Sequence, residues 1–133
     1  MTESTSHRVA RIVRETLALA ADEPVTDDLL LFYDLEFTSM DLLDMLFRLE
    51  EAFSIKIPEG TLYQLARGDT PESDFCRDSH LTPQGRLQLM QLLRDTPAQV
   101  FPEKIHAQTL PKYCTVGAFV RLVDHKLAEA CSS

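Results

Sequence analysis

The sequence predicts an all-α fold, a helical bundle with an additional helical insert. Three observations carry that expectation. Apolar residues recur at helical spacing in long stretches near the start, in the first half and at the end of the chain. The one apolar run with strand character, Leu29-Leu30-Leu31-Phe32, has no second convincing strand to pair with. Proline and glycine, at positions such as Pro24, Pro58, Gly60, Gly68, Pro71 and Pro111, punctuate the intervals. A chain of 133 residues suits one compact domain with a core of its own. We read 1–133 as that domain, with an insert at about 59–114 before the last helix.

The first helix is expected over about His7 to Ala21. Ser4 or Ser6 caps it, Val9, Ile12, Val13, Leu17 and Ala20 form its stripe, and Pro24 ends the pattern. Leu29 to Phe32 is read as a loop pinned to the core by Leu30, Phe32 and Leu35. The second helix starts at Thr38 or Ser39 and runs to about Phe53. Thr38 suits an N-cap, and Asp41 follows three places on. Ile55 and Ile57 alternate with polar neighbours, which suits an extended connection plugged into the core. Within the insert a short helix is expected over Leu62 to Ala66. Thr82-Pro83 reads as an N-cap and first helical position. The helix it opens would run to about Arg94 and turn Leu87, Met90 and Leu93 inward. With Phe75, Leu81, Phe101 and Ile105 these would form a small packed layer. Thr115 caps the last helix, whose stripe is Val116, Phe119, Val120, Val123 and Leu127, ending near Ala130.

Composition excludes several functions. Hydrophobic residues make up 44% and charged residues 26%, ordinary for a soluble globular protein. No apolar run reaches membrane-spanning length. Met1 to His7 lacks the pattern of a signal peptide, so a cytoplasmic location is expected. Cys76, Cys114 and Cys131 are widely spaced and imply neither a disulfide framework nor a zinc pair. His7, His80, His106 and His125 are equally scattered, and no metal is expected. From Asp22 to Phe53 there are ten acidic residues and one basic residue, a net −9, so the rest of a chain at −8 sums to +1. Nucleic acid would be repelled by such a segment. A basic protein surface would be attracted. A merely solvated acidic face is the alternative.

Ser39 stands at the mouth of the second helix. A serine nucleophile needs a base, usually His or Lys, and neither occurs between Leu29 and Phe53. The G-x-S-x-G elbow is absent too, since Phe37 and Asp41 occupy its glycine positions. A serine modified by another enzyme needs exposure, and a helix start provides it. The free amides and positive dipole end there would stabilise a phosphate ester by roughly 0.3–1 kcal/mol. The helix that follows has two apolar stripes at 100° per residue. Leu42, Met45, Leu46, Leu49 and Phe53 form the one that faces the core. Met40, Leu43 and Phe47 form the second, with Asp41, Asp44, Arg48 and Glu51 beside it. The second stripe reads as a docking face. The competing reading is that the insert packs over it.

These residues resemble the acyl carrier proteins. Asp34-Leu35-x-Phe37-Thr38-Ser39-Met40-Asp41 is similar to that family's D-L-G-x-D-S-L-D signature. Leu49-Glu50-Glu51-x-Phe53-x-Ile55-x-Ile57-Pro58 resembles its L-E-E-x-F-x-x-x-I-P run at the same spacing. Thr115-Val116-Gly117-Ala118-Phe119-Val120 is similar to the start of its last helix. The resemblance covers about Val9 to Pro58 and Thr115 to Leu127. It implies a bundle of three main helices plus a short one, and a 4′-phosphopantetheine arm on Ser39, transferred from coenzyme A by a magnesium-dependent phosphopantetheinyl transferase. The arm's thiol would carry acyl groups as thioesters between acyl-loading and condensing enzymes. Glu36, Met40, Asp41, Leu43, Asp44, Phe47 and Glu51 would contact those partners.

Thr38 stands where the signature has Asp, Glu36 where it has Gly, and the insert is longer than the family's usual connection. These features suggest a specialised carrier of a fatty-acid, lipid or polyketide pathway, monomeric and not itself an enzyme. The alternative is an unmodified helical interaction or regulatory protein, and a third option is a small hydrolase using Ser39.

Overall fold

The computed structural model describes residues 4–58 and 60–132, without the side chains of 131 and 132. Met1–Glu3, Glu59 and Ser133 lie outside the described residues, as does the Cys131 side chain. Among the described residues the fold is all-α and acyl-carrier-like: 56% are helical, with six α-helices and one two-stranded hairpin.

Helix α1 (Thr5–Thr16) is capped by Ser4, whose hydroxyl accepts from the His7 amide at 3.1 Å. Val9, Ala10, Ile12 and Val13 are its buried face. It stops at Thr16, short of the expected Ala21. The reason is local. Ala18 takes a left-handed φ of 55°, its amide bonds to Glu15 O, and the Leu19 amide bonds to Arg14 O at 2.8 Å. That pair of bonds closes the helix end. Pro24 comes after the chain has already turned.

Residues 27–31 run antiparallel to 114–117. Gly117 N–H donates to Asp27 O, Val116 N–H to Leu29 O, and Leu31 N–H to Cys114 O. The Leu29–Phe32 run therefore does have a strand-like partner, one bridge long at Leu30 and Thr115. Leu30 and Leu31 are buried, whereas Phe32 and Leu35 are only half-buried. The anchor is Leu31 more than Phe32.

Helix α2 (Ser39–Phe53) buries Met45, Leu49 and Phe53. Ile55 and Ile57 follow it into the core, and Glu50 holds the connection by accepting from the Ile57 amide at 2.7 Å. Helix α6 (Val116–Ser132) starts at Thr115, whose hydroxyl accepts from the Ala118 amide at 3.1 Å. Helix α1 packs against both α2 and α6, and α2 meets α6.

The insert region holds α3 (Thr61–Arg67), α4 (Glu72–Phe75), the hairpin β1 (Cys76–Arg77) with β2 (His80–Leu81), and α5 (Pro83–Leu92). Two short 3-10 turns follow at Ala98–Val100 and Leu110–Tyr113. The hairpin was not expected from the sequence. Asp78 and Ser79 make its turn, both at positive φ (51° and 68°), without the glycine that usually marks one. Thr82 caps α5 by accepting from the Gly85 amide at 2.9 Å.

Expectations for α5 need one correction. Leu93 is buried and Met90 half-buried, but Leu87 is 58% exposed. The buried line is Gly85, Leu89 and Leu93, at i, i+4 and i+8. Leu87 lies about 200° of helical rotation from Gly85 and faces out. Gly85 packs so tightly that a Cβ there would stand 2.1 Å from Phe75 O.

The rest of the expected layer holds. Phe75, Leu81, Phe101 and Ile105 are buried, together with Leu89, Leu110 and Tyr113, and all belong to one core continuous with the helical bundle. An ion pair from Arg121 on α6 to Asp95 ties the insert to the last helix, and Arg121 Nη2 adds a bond to Leu92 O at 3.2 Å.

Candidate functional site

The site grows from the loop before α2. Asp34 returns a carboxylate oxygen to the Leu30 amide at 2.8 Å, its own amide bonds to Leu30 O, and the Phe37 amide bonds to Leu31 O at 3.0 Å. Buried Leu31 and Phe37 fasten this loop to the core, and the Phe32 and Phe37 rings lie 6.4 Å apart. Glu36 is exposed and adopts a left-handed φ of 56°. The backbone there keeps the shape a glycine adopts most readily, with a carboxylate added.

Thr38 and Asp41 form a reciprocal cap. Thr38 Oγ1 accepts from the Asp41 amide at 3.2 Å. Asp41 Oδ2 accepts from the Thr38 amide at 2.9 Å and from the Thr38 hydroxyl at 3.1 Å. Ser39 is thereby the first helical residue, and its side chain is exposed. The Asp41 amide belongs to the cap and the Leu42 amide to Thr38 O. The Ser39 and Met40 amides find no acceptor among the described residues. An exposed hydroxyl beside two free amides at a helix N-terminus fits a phosphate ester.

No base stands by that hydroxyl in a hydrogen bond among the described residues. The histidines are placed elsewhere. His80 and His106 pair edge to face at 5.2 Å within the insert, and His125 reaches Glu129 along α6 at 3.0 Å. His7 lies on α1. The described residues contain no group of three or more His, Cys, Asp or Glu side chains placed to hold a metal ion. No helix among them is long and apolar enough to cross a membrane.

The two stripes of α2 separate cleanly. Met40 is 76%, Leu43 53% and Phe47 67% exposed. Within the insert α5 packs on α3, and Arg121 ties the insert to α6, so these three stay uncovered. Of the acids beside them, Asp44 and Glu51 are exposed and Asp41 is half-buried in its cap. Phe47, Glu50, Glu51, Ser54, Ile55 and Lys56 line a groove of about 460 Å³ at the end of α2. A second groove, about 300 Å³, follows the seam between α1 and α2 and is lined by Arg8, Arg11, Ile12, Glu15, Arg48, Glu51 and Ala52.

Two features escaped sequence reasoning. Tyr33, 56% exposed, adds an aromatic to the loop leading to Ser39. It lies outside any helical period, so no pattern marked it. Arg48 bridges Asp44 and Glu15, and the second of these partners is on another helix.

Residues 7–67 match the family model described as a phosphopantetheine attachment site, a span that contains Ser39 and runs through α3. No curated protein and no solved structure matched the chain.

Proposed function

We infer, from a chain that belongs over residues 7–67 to the phosphopantetheine-attachment family, that Ser39 is the residue that bears the covalent 4′-phosphopantetheine arm. One observation carries this assignment: within the matched span, Ser39 is an exposed hydroxyl at the first position of α2 beside two unpaired amides. When attached, the arm supplies a terminal thiol that holds an acyl group as a thioester. The chain's own residues do the rest. Thr38 and Asp41 fix the start of α2 and so the direction in which Ser39 points. The free Ser39 and Met40 amides and the helix dipole favour the phosphate charge. Met40, Leu43 and Phe47 offer an apolar contact, and Glu36, Asp41, Asp44 and Glu51 surround it with negative charge.

That combination suits a carrier visiting several basic enzyme surfaces through brief, electrostatically steered contacts. The partners in this reading are a phosphopantetheinyl transferase and the acyl-loading and condensing enzymes of a specialised fatty-acid, lipid or polyketide pathway. The carrier itself is a cytoplasmic monomer and performs no chemistry alone.

Intact mass after incubation with coenzyme A, magnesium and a broad-range transferase tests the assignment. The chain gains one arm, and Ser39→Ala gains none. A gain that survives Ser39→Ala moves the site elsewhere. No gain with any transferase leaves an unmodified helical interaction protein.

A further inference from the structure

Arg48 is the single basic residue among ten acidic ones between Asp22 and Phe53. Its guanidinium is engaged within the chain. Nε donates to Asp44 Oδ1 at 3.1 Å, one turn earlier on α2, and Nη1 lies 3.7 Å from Glu15 Oε2 on α1. Asp44 flanks the exposed Met40, Leu43 and Phe47 stripe. Glu15 and Arg48 share the groove along the α1–α2 seam. One guanidinium shared by two carboxylates cuts their combined charge from −2 to −1. An incoming Lys or Arg meets a like charge a few ångströms behind its target, and like-charge juxtaposition opposes docking.

We propose that Arg48 is a specificity-determining residue of the docking face, an internal counter-charge that masks Asp44 and Glu15. The inference rests on the carrier reading above. The face then attracts basic surfaces less than its run of acids implies. A partner that relies on charge alone gains little from Asp44, whereas one that also fits the apolar stripe keeps its advantage. Arg48 acts through the two carboxylates, so it is a positioning residue of the surface and touches no reacting atom. A purely structural clamp between α1 and α2 would have a different signature: removing it would lower stability and leave the salt dependence of docking unchanged.

The test uses the full chain and a broad-range phosphopantetheinyl transferase with coenzyme A and magnesium, with kcat/KM for arm loading measured at low and high salt. Arg48→Gln is expected to raise kcat/KM about two- to fivefold at low salt, mainly through KM, with a steeper fall as salt rises. Arg48→Lys, which keeps the charge, stays close to the parent chain. In a Glu15→Gln, Asp44→Asn background the gain from Arg48→Gln shrinks, because there is little left to unmask. Arg48→Met keeps the aliphatic stem and a good helix former, and repeats the measurement should glutamine weaken the fold. Loading that is unchanged or slower at low salt, in a variant that melts with the parent, overturns the proposal. So does a gain of full size in the doubly neutralised background. Failure of the carrier reading looks different: no chain, parent or variant, gains any mass.

Discussion

Replacing Phe47 and Leu49 by alanine, one at a time, separates the two faces of α2. The residues are two apart on one helix, and their surroundings are opposite. Phe47 is 67% exposed, while Leu49 is fully buried. Full burial of a large apolar side chain is worth about 1.5–3 kcal/mol, so the third of Phe47 that is covered accounts for at most about 1 kcal/mol. Alanine also favours the helix over phenylalanine by about 0.5 kcal/mol, which offsets part of that. Phe47→Ala should therefore unfold within about 0.5 kcal/mol of the parent chain. Leu49→Ala removes a filled core position and should cost about 2–5 kcal/mol, the lost transfer energy plus the cavity. Urea unfolding followed by far-UV circular dichroism reads both. In partner assays the order reverses. An exposed aromatic anchor is worth more than about 1 kcal/mol when it is truncated, so arm loading or acyl transfer by Phe47→Ala falls about fivefold or more. A loss of 2 kcal/mol or more of stability in Phe47→Ala would mean that its stripe is packed over. Wild-type partner kinetics in a stable Phe47→Ala would remove the docking role.

Two further outcomes are expected. Thr38→Ala removes the half of the cap made by Thr38 Oγ1, keeps the amide bond from residue 38 to Asp41, and costs about 1 kcal/mol, seen as a lower urea midpoint; Thr38→Asp also loses stability, because aspartate cannot donate to the Asp41 carboxylate 3.1 Å away and instead opposes it; a Thr38→Asp chain more stable than the parent contradicts this account of the cap. Burial pushes the Cys114 thiol from 9.0 up to about 12; a group raised on folding stabilises fully below its unfolded value, so this contribution persists below about pH 9 and is lost as pH rises towards about 12; Cys114→Ala should flatten the alkaline decline of the urea midpoint, and Cys114 should resist alkylation until the chain is unfolded.

The long helices were legible because their own residues define them. α2 announces itself through its stripe and the Thr38–Asp41 pair, α6 through Thr115 and a continuous apolar face, and α5 through Thr82-Pro83. Ile55 and Ile57 alternate with polar neighbours, and both are buried. What stayed hidden depends on residues that take unusual backbone shapes for tertiary reasons. Ala18 ends α1, and Asp78 and Ser79 turn the hairpin, all at positive φ without glycine. Composition gives no sign of such turns, since L-residues enter that region only when neighbouring bonds and packing hold them there. Helix α4 is four residues long, and its register with Gly85 is set by contact with α5. At the site, the position of Ser39 and the second stripe were legible from spacing alone. The reach of Arg48 to Glu15 was not, because it depends on where a side chain finds its partner on another helix.

The loop that presents Ser39 hangs from backbone bonds made by residues 114–117, close to the other end of the chain. Synthesis therefore produces the serine long before the framework that aims it. A ribosome-bound fragment ending before Cys114 carries the hydroxyl on a loop that lacks its anchoring strand and the first turn of α6. The aim of the Ser39 hydroxyl is in this way set from a distant part of the sequence, and a change at 114–117 loosens the loop without touching it.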